Sequence, residues 1–138
     1  MTTETAGKAA TAPNESVQGR ALAASLTVKD LQKSLAWYRD VAGFTVTRQH
    51  ERDGQVRAVS LKAGDVEILI GQDDGAKGWD RAKGEGISLR ITTSQDIDRL
   101  AAAIKARGGV LELEPATLPW GRVFRIKDPD GFKIAISS

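Results

Sequence analysis

From residue 21 onward, apolar and polar positions alternate with regular periods. In ALAASLTVK (21–29), Leu22, Ala24, Leu26 and Val28 fall on one side and Ala23, Ser25 and Thr27 on the other, the two-residue period of a strand. The period then changes. In DLQKSLAWYRDVAG, Leu31, Leu35, Tyr38 and Val41 recur at helical spacing, Asp30 can cap the start, and Gly43 ends the run. FTVTRQHE, VRAVSLKA and VEILIG return to the strand period, with Asp53-Gly54 and Gly64-Asp65 as turns between them.

The same order then recurs. GISLRIT resembles the first strand, with Ser88-Leu89-Arg90-Ile91 over Ser25-Leu26-Thr27-Val28. SQDIDRLAAAIKARGG reads as a helix capped by Thr93 or Ser94, with Ile97, Leu100, Ala101 and Ile104 as its buried stripe and Gly108-Gly109 at its end. VLELEP, GRVFRIKD and FKIAIS follow as three strands, and VEILI aligns over FKIAI. Two copies of βαβββ predict an α+β fold of two tandem modules. Module one covers 20–71 and module two 86–138. The Gly-rich, polar segment 72–85 is a linker by composition. Residues 1–19 have no large apolar side chain before Val17, and they read as a disordered tail without the apolar core of a secretory signal.

Composition narrows the chemistry. The 138 residues include no cysteine and one histidine, His50, which excludes thiolate sites and any site built on two histidines of one chain. His50 sits at the hairpin end of the second strand and reads as a surface residue. The 20 basic and 18 acidic side chains are interspersed, so no concentrated basic face points to nucleic acid. No apolar run approaches the ~18 residues of a membrane span, and the lack of cysteine fits a reducing, cytoplasmic setting. In KDPDGFK, two aspartates flank Pro129 and precede Gly131, the chemistry of a turn rather than of an acid–base pair.

The segment VKDLQKSLAWY (Val28 to Tyr38) and the WGR…DPDG hairpin (Trp120 to Gly131), inside a duplicated βαβββ frame, resemble the vicinal oxygen chelate superfamily of glyoxalases, bleomycin-resistance proteins and extradiol dioxygenases. The resemblance implies modules that each curl into half a barrel, with ligands on the faces turned away from the helices. It also assigns four metal-ligand positions. These fall on Ala23, Leu69, Gly86 and Ala135, none of which carries a donor, while Glu67 lies two residues from Leu69 on the same strand face. The chain therefore resembles a metal-free, bleomycin-resistance-like branch, with no metal and no cofactor expected.

Alternation assigns the helix-facing sets as Val59/Leu61, Val66/Ile68/Ile70, Phe124/Ile126 and Phe132/Ile134/Ile136. The opposite faces supply the candidate ligand-binding residues Ser60, Glu67, Leu69, Ser88, Arg90 and Arg125, joined by the loop tryptophans Trp79 and Trp120. Trp37 is assigned to core packing. Arg90 and Arg125 offer forked donors for an anion, or pair structurally with Glu67 or Glu112. The expected function is sequestration of a small planar or anionic organic ligand by a homodimer. The alternatives are a metal-independent isomerase or lyase with Glu67 as general base, and a catalytically silent interaction module.

Overall fold

A computed structural model describes residues 14–138. Positions 1–13 of the expected tail lie outside the described residues, and 14–23 carry neither helix nor strand. The elements are β1 (Ala24–Val28), α1 (Leu31–Ala36), β2 (Thr45–Arg52), β3 (Gln55–Ala63), β4 (Val66–Gln72), β5 (Ser88–Thr92), α2 (Ile97–Ala106), β6 (Leu111–Leu118), β7 (Gly121–Lys127) and β8 (Lys133–Ser137). They form two four-stranded mixed sheets with the orders β1-β4-β3-β2 and β5-β8-β7-β6. The first strand of each module pairs in parallel with the last, and the other pairings are antiparallel. The identical order in both sheets is the duplication expected from the repeat. Neither sheet closes on itself.

The helix-facing sets, apart from the half-buried Val66, are the core. Val59, Leu61, Ile70, Phe124 and Ile126 are fully buried, and Ile68, Ile134, Ile136 and Phe132 nearly so. They pack with Leu31, Leu35 and Tyr38 of module one and Ile97, Ala101 and Ile104 of α2 in one continuous cluster. The two modules thus share a core, which leaves the other face of each sheet outside it. Leu22 does not join β1 and is exposed.

Local capping explains where the helices start. Asp30 accepts from the Lys33 N–H, as expected. The second cap is Asp96, which accepts from the Arg99 N–H, and not Thr93 or Ser94. Thr93 Oγ1 instead accepts from the Gln95 N–H, forming a turn one step upstream. After Ala36, α1 widens into a π-helical turn over Trp37–Val41. The adjacent Trp37 and Tyr38 then both reach the core, edge to face at 4.8 Å, and Tyr38 meets Phe44 at 5.5 Å.

The DPDG segment is a turn, and it is also a joint between modules. Asp128 is buried. Its Oδ1 accepts from the Asp130 and Phe132 N–H groups, and its Oδ2 accepts from the Tyr38 hydroxyl at 2.7 Å. Burial pushes the Asp128 carboxyl above its ordinary value, against those hydrogen bonds. Burial first, and then the Asp128 charge, push the Tyr38 phenol far up. Asp130 in turn accepts from the Lys29 N–H of module one. The linker is tied to itself: Lys83 donates to the buried Asp73 at 2.7 Å and Arg81 lies 3.5 Å from it. The hydrogen bond from Lys83 and that from the Gly75 N–H hold the Asp73 carboxyl down at about 2.

Two strands differ from expectation. β6 continues past Pro115 to Leu118. It is an edge strand, where the missing proline N–H breaks no ladder bond, and its register shifts on either side of Leu113. β2 ends at Arg52, one residue beyond the expected strand, so His50 lies within the strand and not in the hairpin.

Candidate functional site

The outer face of the second sheet holds a cleft of about 1080 Å³. Strand alternation places its floor. Arg90 on β5, Ala135 on β8 and Arg125 on β7 stand side by side in register, with Leu113 of β6 beyond them. One step along, Ser88 pairs with Lys133 and Lys133 with Lys127. Gly86 and Ala135 add little bulk, and Leu118, Trp120 and Val123 form an apolar wall.

Trp120 sits in the β6–β7 turn, where Leu118 pairs with Gly121. The Arg90 guanidinium lies over its ring, 5.0 Å from the centroid. The indole nevertheless stays 54% exposed, so part of its ring surface is accessible to another planar group. Arg125 donates to Glu112 at 3.3 Å, and Lys127 and Lys133 reach the same carboxylate at 3.4 and 3.7 Å. Of the two structural pairings considered for the arginines, Arg125 with Glu112 is present. Burial pushes the Glu112 carboxyl up, but Arg125, Lys127 and Lys133 together hold it below its ordinary value.

Glu112 reaches these cations through a bulge. Leu111 pairs with Ile126 on the core side, and Leu113 pairs with Arg125 on the cleft side. Two residues of the same parity therefore face opposite ways, and Glu112 is the extra residue between them. Simple alternation cannot anticipate that geometry. Lys127 and Lys133, by contrast, share the parity of Arg125 and Ala135, so alternation did contain the signal for both.

Four of the sequence candidates come together here: Ser88, Arg90, Trp120 and Arg125. Ser60, Glu67 and Leu69 lie on the first sheet. Leu69 stands between Ser25 and Ser60 in register, and the exposed Glu67 stands opposite Lys62. Ser60 Oγ is 3.1 Å from His50 Nε2, so His50 is a half-buried partner of this face and not a free surface group. Trp79 lies apart from the cleft, packed against Gly75 in the linker and 49% exposed.

Pairing also refines the repeat. If Leu69 is matched to Ala135, their parallel neighbours Ser25 and Arg90 correspond, two residues beyond the match of Ser25 to Ser88. The slip of two preserves which face each side chain occupies.

The residues at the positions the resemblance assigns to a metal do not fit one. Ala23, Leu69, Gly86 and Ala135 present no donor atoms, and Arg90 would set a positive charge beside Ala135. Among the described residues, no three His, Cys, Asp or Glu side chains gather closely enough to hold a metal ion. No described helix is long and apolar enough to cross a membrane.

Residues 20–136 match the family described as the Glyoxalase/Bleomycin resistance protein/Dioxygenase superfamily. A protein of Vibrio cholerae named a probable lactoylglutathione lyase is 29% identical over 125 residues, 85% of this chain and 88% of that protein. The crystal structure of TnmS3, an antibiotic binding protein from Streptomyces sp. CB03234, superposes with a TM-score of 0.70 at 22% identity, over 89% of this chain and 98% of that one. TioX from Micromonospora sp. ML1 superposes with a TM-score of 0.69 at 19% identity, over 86% and 98%. At such identities the two structures carry the fold alone. With the family match spanning nearly the whole described chain, the protein belongs to the glyoxalase/bleomycin resistance protein/dioxygenase superfamily.

Proposed function

We propose that the protein binds and sequesters a small planar, anionic organic molecule in the cleft of its second sheet, without metal or other cofactor. The observation that carries this reading is the Arg90–Trp120 stack beside the Arg125 row. The exposed ring offers an aromatic platform, and the forked guanidinium groups offer anion recognition within reach of the same ligand. An antibiotic-binding relative of the same fold is consistent with this role. Ser88 adds a hydroxyl at the floor, and the small Gly86 and Ala135 leave space there.

The reading includes a homodimer. Trp120, Ile87 and Leu118 leave exposed apolar surface at the open cleft, and both sheets end in unpaired edge strands. In this dimer the first-sheet face bearing Ser60, Glu67 and Leu69 covers the cleft of a second copy. Trp79 then contributes from the linker only if the ligand or the partner extends that far.

Thermal-shift screening of the purified chain against antibiotics and aromatic acids, with mass spectrometry of every hit after incubation, tests the reading. Stabilisation by planar anions that are recovered chemically unchanged is the expected result. Stabilisation only after a divalent metal is added would refute the metal-free part.

A second reading is a metal-independent lyase or isomerase with Glu67 as general base. It is favoured by the Vibrio cholerae relative and its name. It requires turnover, and the same mass spectra would reveal it.

A further inference from the structure

Three cations converge on one carboxylate at the end of the cleft. Arg125, Lys127 and Lys133 lie on two adjacent strands, and all three reach Glu112 between 3.3 and 3.7 Å. One carboxylate cannot neutralise three cations, so two positive charges remain at this spot. The Glu112 side chain is 22% exposed, and its contacts are looser than the 2.7 Å pair between Lys83 and Asp73. Glu112 is thus a partial occupant of an anion pocket and not a tight structural plug.

The remaining charged groups do not change that count. Lys83 borders the cleft but is committed to Asp73. Arg90 and Glu85 both border it and cancel only as formal charges, since they make no ion pair with each other, and the Arg90 guanidinium lies over the Trp120 ring. The aromatic platform and the cation cluster are joined by a short path, because Arg90 and Arg125 flank Ala135 across three adjacent strands. Neighbouring strands lie about 4.8 Å apart, so Arg90 and Arg125 are separated by about 10 Å at the backbone. A ring on Trp120 and a charged group it carries can span that distance.

From this geometry we infer that the cleft selects a planar ligand bearing a doubly negative group, such as a phosphate monoester, and that Glu112 sets this charge requirement. The inference rests on the cleft being the ligand site. A doubly negative group matches the two uncompensated charges. A single carboxylate only duplicates what Glu112 already supplies, and a neutral ring gains nothing from the cations.

The test is calorimetric titration of the full chain with 2-naphthyl phosphate, 2-naphthoate and 2-naphthol, which share one ring system and differ in charge. It is run at about pH 7.5, where a phosphate monoester is largely doubly charged. The phosphate should bind about tenfold more tightly than the carboxylate, and its affinity should fall more steeply with salt. Glu112→Gln should strengthen binding of both anions several-fold and leave 2-naphthol unchanged. Arg125→Gln, a second variant, should erase the preference for phosphate over carboxylate. Equal affinity for the three probes would overturn charge selection while leaving the cleft as a ligand site. Binding of none of them would overturn both readings. Unaltered anion affinity in Glu112→Gln, with the fold intact by melting, would remove Glu112 from the account.

Discussion

Replacing Tyr38 by Phe removes one oxygen atom from the joint between the modules. The ring keeps its edge-to-face contacts with Trp37 and Phe44, so packing is preserved. What disappears is the donor to Asp128 Oδ2, while Oδ1 keeps the Asp130 and Phe132 N–H groups. A buried carboxylate oxygen is left without a partner, and a lost hydrogen bond of this charged kind costs about 2 kcal/mol. For a domain of this size that corresponds to a melting temperature about 8 °C lower. The pH dependence supplies a second readout. The folded Asp128 carboxyl lies above its unfolded value, so the folded state binds the proton more readily. Its burial therefore disfavours folding above the raised value, and the penalty fades as pH falls towards the unfolded value of about 3.9. Tyr38 holds that penalty down by hydrogen bonding. The variant should thus trail the parent most at neutral pH, and the gap should narrow on acidification. Urea unfolding followed by circular dichroism between about pH 4 and 7.5 would measure both effects. A variant as stable as the parent at neutral pH, or a gap that widens in acid, would show that the Tyr38 hydroxyl does not stabilise the buried Asp128 carboxylate.

Other consequences are equally direct. Asp73→Asn should lower the melting temperature at neutral pH. The folded Asp73 value is depressed to about 2, so this difference should persist down to about pH 4 and shrink as pH falls further, which a pH series of melts would check. Gly84→Ala would place a Cβ 2.6 Å from the Gly131 carbonyl oxygen on a backbone with φ +77°, and should cost about 2 kcal/mol or more in urea titration. Light scattering at micromolar concentration should give twice the 14.8 kDa chain mass, and a monomer would count against the covered cleft.

Most of the fold was legible because both sheets have one buried face. Val59/Leu61, Ile68/Ile70, Phe124/Ile126 and Ile134/Ile136 announce the core by alternation, and the repeated order of elements fixes the architecture. The lapses have local causes. Thr93, Ser94 and Asp96 are all competent caps, and only the backbone decides among them. Pro115 reads as the end of a strand unless its edge position is known. The candidate site was half legible. Arg90 and Arg125 share a face by parity, but Glu112 reaches them through a bulge that breaks parity. The His50–Ser60 pair depends on register across a hairpin with shifts of its own. Trp79 and Trp120 looked alike as loop indoles. Their separation follows from the local linker turn that packs Trp79 against Gly75, four residues away, a geometry that composition does not encode.

In the proposed function the second-sheet cleft holds the ligand and does no chemistry on it. The most direct test is a tryptophan-emission titration, with the tightest hit of the thermal-shift screen, of the parent, Trp120→Ala, Arg90→Ala, Glu67→Ala and Trp37→Phe, followed by mass spectrometry of the recovered ligand. Trp120→Ala should weaken binding by about 2 kcal/mol and Arg90→Ala by a similar amount. Trp37→Phe should leave affinity unchanged, Glu67→Ala should weaken it by less than Trp120→Ala does, and the ligand should be returned intact by every variant. A chemically altered ligand, or affinity lost in Glu67→Ala but not in Trp120→Ala or Arg90→Ala, would rule out sequestration in this cleft.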